Sequence, residues 1–206
     1  MNITKNSRVL FIGDSITDSD RNADSEKIGF GYVRLIRDTF ICNQPNEIPT
    51  IINKGIGGDR VIDLAQRWEQ DVLQQDADLI SVSIGINDVW KQLKTTGIEP
   101  VFPDQFEEVY RDTLIKVKER TNAQLILMEP TIIEENPDSK GNQLLIRYVE
   151  IVHKLSKEFE TLLVPTHTAF INYLKSNSEY SLTTDGVHMN TIGNMLMAKT
   201  WLDTIK

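Results

Sequence analysis

The chain has 206 residues, with 22 basic and 30 acidic side chains and a formal net charge of −8. That length closes a hydrophobic core without disulfides, and the acidic balance excludes a protein whose main business is nucleic acid or anionic membrane, since both need a basic face. The single cysteine, Cys42, rules out an internal disulfide and fits a reducing compartment. No apolar run reaches the ~20 residues of a membrane helix, and the polar residues 1–7 leave no room for the apolar stretch of a signal peptide. The expectation is a cytoplasmic protein without membrane insertion. With no repeat, linker or composition break, it reads as a single domain over residues 1–206.

Short apolar, β-branched runs alternate with longer segments of helical period. Residues 8–12 read as a first strand closed by Gly13, and residues 32–40 as a helix. Residues 50–52 are a second strand, and Val61, Leu64, Ala65, Trp68 and Val72 fall on one face of a second helix. Residues 79–84 form a third strand. Pro103 opens a third helix carrying Phe106, Val109, Tyr110, Leu114 and Val117. A fourth strand (125–128), a fourth helix (144–159), a fifth strand (162–164) and a closing helix (191–205) complete the chain. This order predicts a three-layer α/β/α sandwich, flavodoxin-like, around a five-stranded, mainly parallel sheet. The strands are almost wholly apolar, as expected when helices cover both faces. Irregular stretches are expected at 15–31, 90–102, 129–142 and 180–190, and the ligand site beyond the carboxyl ends of the strands.

Those strand ends carry the chemistry. Gly13-Asp14-Ser15-Ile16-Thr17 places a serine just past the first strand, where the alternative reading is a turn or helix cap. A serine hydroxyl becomes a nucleophile only beside a base that a third group orients. Of the three histidines, His153 lies inside the fourth helix and reads as a surface residue, and His167 follows the fifth strand as a weak candidate. His188 stands three residues after Asp185 in Asp185-Gly186-Val187-His188, a spacing that lets a tight turn bring carboxylate to imidazole. The glycines of Asn53-Lys54-Gly55-Ile56-Gly57-Gly58-Asp59 can free backbone N–H groups to face an anion. Asn87, in Gly85-Ile86-Asn87-Asp88, can donate its amide to a developing oxyanion, and Asp88 reads as a cap.

Taken together, Gly13-Asp14-Ser15, Asn53-x-Gly-x-x-Gly58, Gly85-x-Asn87-Asp88 and Asp185-x-x-His188 resemble the four ordered blocks of the SGNH hydrolase superfamily, the GDSL-type esterases and lipases, across essentially the whole chain. The resemblance implies Ser15 as nucleophile, His188 as general base and acid, and Asp185 as its orienting partner. It implies an oxyanion hole from the backbone N–H groups of Ser15 and Gly58 and the Asn87 amide, and no cofactor. Gly57-Gly58 stands where a Ser-Gly pair is frequent, and the Gly-x-Ser-x-Gly elbow of α/β-hydrolases is absent, which leaves Ser83 as a buried strand residue.

Within that superfamily the chain is similar to intracellular xylan and oligosaccharide acetylesterases, through Phe11-Ile12-Gly13-Asp14-Ser15-Ile16-Thr17-Asp18, Arg67-Trp68-Glu69 and Ile84 to Trp90. The expected substrate is an acetylated xylo-oligosaccharide or related sugar, with Asp14 and Trp90 as substrate contacts. A lysophospholipase or acyl-CoA thioesterase on the same scaffold is the alternative, followed by a non-catalytic flavodoxin-like binding module. Asp18 to Asp24 imitates the start of a calcium loop, but Ala23 and Gly29 occupy the sixth and twelfth positions, so the acidic run reads as a solvated lip and no metal site is expected. Self-association is expected through helix surfaces bearing Trp68, Tyr148 or Trp201.

Overall fold

The computed structural model describes residues 3–94, 97–176 and 178–206. The expected irregular stretch at 90–102 therefore falls partly on residues outside this set, as does the start of the polar N-terminal segment. Five strands, β1 (Arg8–Gly13), β2 (Thr50–Gly55), β3 (Leu79–Ser83), β4 (Gln124–Met128) and β5 (Leu162–Val164), form one sheet in the order β2-β1-β3-β4-β5. Every pairing is parallel. The helices are α1 (Ser15–Asp18), α2 (Tyr32–Asn43), α3 (Val61–Gln66), α4 (Ile86–Leu93), α5 (Pro103–Arg120), α6 (Lys140–Glu158), α7 (Thr166–Lys175) and α8 (Thr191–Ile205). Val9 to Ile12 and Ile126 to Met128 are fully buried, as the apolar runs require. Among the described residues no helix is long and apolar enough to cross a membrane.

The register decides where the functional loops emerge. Gly13 pairs with both Gly55 and Ser83, so β1, β2 and β3 end level with one another. The chain runs from β1 to β2 on one side and then to β3 on the other, so the order in which strands are added reverses at β1 and β3 and leaves a crevice there. Close approach makes two glycines necessary. A Cβ on Gly55 would lie 2.2–2.6 Å from backbone atoms of Thr17 and Asp18, and one on Gly13 2.3 Å from the Ser83 carbonyl oxygen. Asn53, buried in β2, fastens this junction: its amide donates to the carbonyls of Thr17 (2.6 Å) and Ile28 (2.8 Å), and its oxygen accepts from Gly55 N–H.

On the far side α8 is anchored by Trp201, which is fully buried, donates to Ser81 Oγ at 3.1 Å and packs 5.3 Å from the Phe11 ring. Burying a side chain of that size contributes about 1.5–3 kcal/mol, which holds the segment preceding α8 against the sheet. Trp68 and Tyr148 are buried as well. None of these three residues is available as a contact surface, which corrects the expected route to self-association: the apolar stripes that carry them face the core.

Several boundaries differ from expectation. The second helix does not run through 61–72: α3 stops at Gln66, and a π-helical turn, Glu69–Leu73, follows Arg67. Residues 86–93 are helical, so Asn87 sits in the first turn of α4 after Gly85, which has φ +126°. The fourth helix starts early, because Ser139 caps it by accepting from Asn142 N–H. The short α7, unforeseen, buries only Thr166, His167 and Phe170. The acidic run is not a solvated lip throughout: Asp24 is buried, accepts from the N–H groups of Ile28 and Gly29, and pairs with Arg34 at 2.6 Å. Among the described residues no cluster of metal-binding side chains occurs.

Asp88 ties two of the loops together. Fully buried, it caps not its own helix but α3, accepting from Val61 N–H at 3.1 Å. Burial pushes its carboxyl up to about 8, against the Val61 N–H that favours the ionised form. A carboxyl that keeps its proton when folded but loses it when unfolded contributes stability that is complete below the unfolded value and is lost as pH rises through the folded one. The wild-type Tm should therefore fall between roughly pH 5 and 8, and Asp88→Asn, which retains an acceptor for Val61, should flatten that fall; an unchanged slope would show that Asp88 does not titrate there. Gly55→Ala should cost about 1–3 kcal/mol in denaturant unfolding and lower the activity, because the added methyl meets the backbone of α1.

Candidate active site

Ser15 is the first residue of α1, immediately beyond β1. Asp14 caps that short helix, its Oδ1 accepting from Ile16 N–H at 2.9 Å. At 2 % exposure Asp14 lies beneath the site rather than on its surface, which corrects its expected contact with substrate. Burial pushes its carboxyl up to about 7, opposed by the Ile16 N–H and by nearby His188. It therefore helps hold the serine helix and adds an ionisable group below the imidazole.

The Asp185 to His188 turn comes from the segment before α8. Asp185 accepts the N–H groups of Val187 (3.0 Å) and His188 (2.8 Å) on Oδ1 and holds His188 Nδ1 at 2.7 Å from Oδ2. Partial burial disfavours the charged carboxylate, but the His188 ring and these two N–H groups outweigh it and hold Asp185 down to about 2. With the Nδ1 proton directed at Asp185, Nε2 is free to accept, and it lies 2.9 Å from Ser15 Oγ. Residues separated by 173 positions are thus in hydrogen-bond contact. Such an arrangement can take the serine proton as the oxygen attacks a carbonyl carbon, the imidazolium being stabilised by the carboxylate.

Beside Ser15 runs the loop after β2, which a hydrogen bond ties to the start of α4. A Cβ on Gly57 would lie 3.9 Å from Ser15 Cβ, so this loop passes directly beside the serine. Gly58 has φ +85° and open space where a side chain would be. Among the described residues nothing accepts from the backbone N–H of Ser15 or Gly58. The Asn87 amide donates to the Asp59 carbonyl at 3.1 Å, which fixes its orientation and leaves its second N–H available. The N–H groups of Ser15 and Gly58 and the free Asn87 N–H are the donors that these segments can offer an oxyanion.

A cleft of about 300 Å³ opens at Ser15 and His188, lined also by Ile16, Ser19, Asp20, Met189 and Asn194. A larger, more apolar groove of about 500 Å³ between α2 and α8 contains none of these groups, so chemistry rather than size identifies the site. Trp90 is not brought into the cleft: it is half-buried against the core, and Lys94 Nζ sits 4.0 Å from the centre of its ring. His153 is tied to the buried carboxylate of Glu129, and buried His167 to the Thr131 carbonyl. Neither approaches Ser15 within hydrogen-bond distance.

Sequence reasoning missed what supports the histidine turn. Glu135 Oε1 accepts from the backbone N–H groups of Leu182 (2.9 Å) and Thr183 (2.7 Å) and from the Thr183 hydroxyl. Glu134, at φ +67°, donates its N–H to the Gly186 carbonyl at 2.7 Å. The loop after β4 thus clamps the segment that carries Asp185 and His188. Both glutamates lie in a polar loop whose composition alone offers no signal of such a role.

The chain is similar to known proteins over its whole length. The model of the GDSL-like lipase/acylhydrolase family matches residues 11–196. An acetylxylan esterase of Geobacillus stearothermophilus is 34% identical over 212 residues, covering 100% of this chain and 96% of the relative. The crystal structure of that organism's acetylxylan esterase Axe2 superimposes with a TM-score of 0.91 at 34% identity, over 100% of this chain and 96% of Axe2. Axe2 variants with a serine, a histidine or an aspartate replaced by alanine are described as catalytic mutants. LAE5, an alpha/beta hydrolase from the metagenome of Lake Arreo, matches with a TM-score of 0.89 at 29% identity, over 98% of this chain and 95% of LAE5. The chain belongs to the GDSL-like lipase/acylhydrolase family and is a carboxylic ester hydrolase.

Proposed function

We propose that this esterase removes acetyl groups from xylo-oligosaccharides, with Ser15 as nucleophile, His188 as general base and acid, and Asp185 as the group that orients it. The observation that carries this reading is the continuous hydrogen-bonded line from Ser15 Oγ through the His188 ring to Asp185. Ser15 Oγ attacks the acetyl carbonyl carbon while its proton passes to His188 Nε2. The oxyanion is held by the N–H groups of Ser15 and Gly58 and by the Asn87 amide. The bond to the sugar oxygen then breaks, and that oxygen takes the proton from His188. Water, deprotonated by the same nitrogen, attacks the acetyl-serine; acetate leaves and Ser15 regains its proton.

The lining of the cleft supports a polar alcohol portion. Ser19, Asp20 and Asn194 line the cleft with Ser15 and His188, where the leaving oxygen collects its proton. An anionic leaving group such as coenzyme A or a phospholipid headgroup would meet Asp20 and a chain of net charge −8. The full-length similarity to an acetylxylan esterase supports the same substrate class. We also propose a cytoplasmic location, which the single, exposed Cys42 fits.

Ser15→Ala should leave the melting transition in place and reduce hydrolysis of p-nitrophenyl acetate by at least about 10³-fold; retained turnover in a pure sample overturns the assignment of the nucleophile. The wild-type kcat/KM should fall on acidification, because a protonated His188 cannot accept the serine proton, and a rate flat to acid would exclude a histidine base. Acetylated xylo-oligosaccharide should be turned over in preference to lysophospholipid and acyl-CoA, and acetyl in preference to decanoyl esters of the same alcohol. The reverse preference would make the enzyme a lipase or thioesterase.

A further inference from the structure

We infer that Arg67 is the positioning residue that sets the nucleophile against its oxyanion donors. The inference rests on the reading of Ser15, Gly58 and Asn87 as the reacting centre. Arg67 follows α3 and touches none of the reacting atoms. Its guanidinium reaches four segments at once. Nη2 donates to the Gly13 carbonyl at 3.0 Å, two residues before Ser15. Nη1 donates to the Lys54 carbonyl at the end of β2 (2.7 Å) and to Asp71 Oδ2 (3.0 Å). Nε donates to Asp59 Oδ2 at 2.7 Å, one residue after Gly58.

Asp59 extends this reach, because its backbone carbonyl is the acceptor that orients the Asn87 amide. One side chain therefore links the strand end that bears Ser15, the loop that bears Gly58 and, through Asp59, the third donor. The Gly13 carbonyl also accepts from Ile56 N–H at 3.0 Å, so Arg67 completes a bridge from β1 into the glycine loop. Gly57 and Gly58 offer no side chains that could hold their own loop, and a Gly-Gly pair is the most freely moving segment a chain can contain. Something outside the loop must fix it, and the pairing of Arg67 with Asp59, both largely shielded from solvent, does so. The planar fork matters: lysine carries the same charge but cannot donate in three fixed directions.

The geometry makes a specific claim about rate. If Arg67 holds the donors where the oxyanion forms, its loss weakens transition-state binding more than substrate binding. Arg67→Lys should lower kcat for p-nitrophenyl acetate by about 10²-fold, the effect of misplacing one oxyanion donor, with KM changed less than about 3-fold. Affinity for a boronic acid that forms a tetrahedral adduct on Ser15 should fall by the same factor as kcat, whereas a role in folding alone would lower Tm and the fraction of active sites without moving kcat per titrated site. Should the lysine variant fail to fold, Asp59→Ala tests the same link with Arg67 in place and should show the same loss in kcat. A folded variant of either kind with unchanged kcat per site overturns the role of Arg67. Wild-type turnover by Ser15→Ala would instead remove the underlying reading, so the two failures are distinguishable.

Discussion

Three parallel strands ending at one level impose the geometry from which everything at the site follows. Because Gly13, Gly55 and Ser83 are in register, the segments that leave β1, β2 and β3 emerge side by side. Glycine at Gly13 and Gly55 is the condition for that proximity, since a methyl group at either would overlap backbone. The serine and the glycine loop are therefore neighbours by virtue of hydrogen-bond register in the sheet, and the Asp59 carbonyl ties the asparagine to that loop. No side chain of the site needs to pull the strands together. The fourth segment arrives differently: α8, docked through Trp201 onto Phe11 and Ser81, delivers the Asp185–His188 turn from the far end of the chain.

Level strand ends bring backbone together but do not hold loops still, and a second set of polar contacts does. On the serine side Asn53 joins β2 to α1, Asp88 joins α4 to α3, and Arg67 joins β1, β2 and Asp59. On the histidine side Glu134 and Glu135 brace residues 182–186. Ser15 and His188 meet between two separately braced halves. A reaction that needs donors placed to a fraction of an ångström requires such support, because loops rich in glycine lose their geometry at little energetic cost.

The electrostatics of the site divide its carboxyls into two kinds. Asp185, half-exposed and ringed by donors, is held down to about 2 and is ionised at neutral pH. Asp14 and Asp88, buried and each with few donors, are pushed up to about 7 and about 8. An ionised carboxylate beside the imidazole favours the imidazolium formed during attack, while the raised proton affinity of the carboxyls underneath lessens the cost of burying several like charges together. Environment, not residue type, assigns these roles.

By itself the sequence determined the class of fold and the residues of the Ser15, His188 and Asp185 line. Apolar runs separated by helical periods specify a parallel sheet with its site at the carboxyl ends, and Ser15, Gly58, Asn87, Asp185 and His188 lie in short motifs whose spacing reflects local turns. What depends on distant parts of the chain was not legible. Asp14 and Trp90 stand beside reacting residues in sequence, yet one lies beneath the site and the other packs into the core under Lys94, because burial depends on which face the neighbouring elements cover. Arg67 and Glu135 sit in helical and polar contexts where a charged residue usually meets water. Their bonds to Gly13 and to Leu182 span 54 and 47 positions. Local pattern records which residues a strand end can present; only the tertiary structure decides which side chains hold those ends in place, since those contacts exist only once the sheet has set its register.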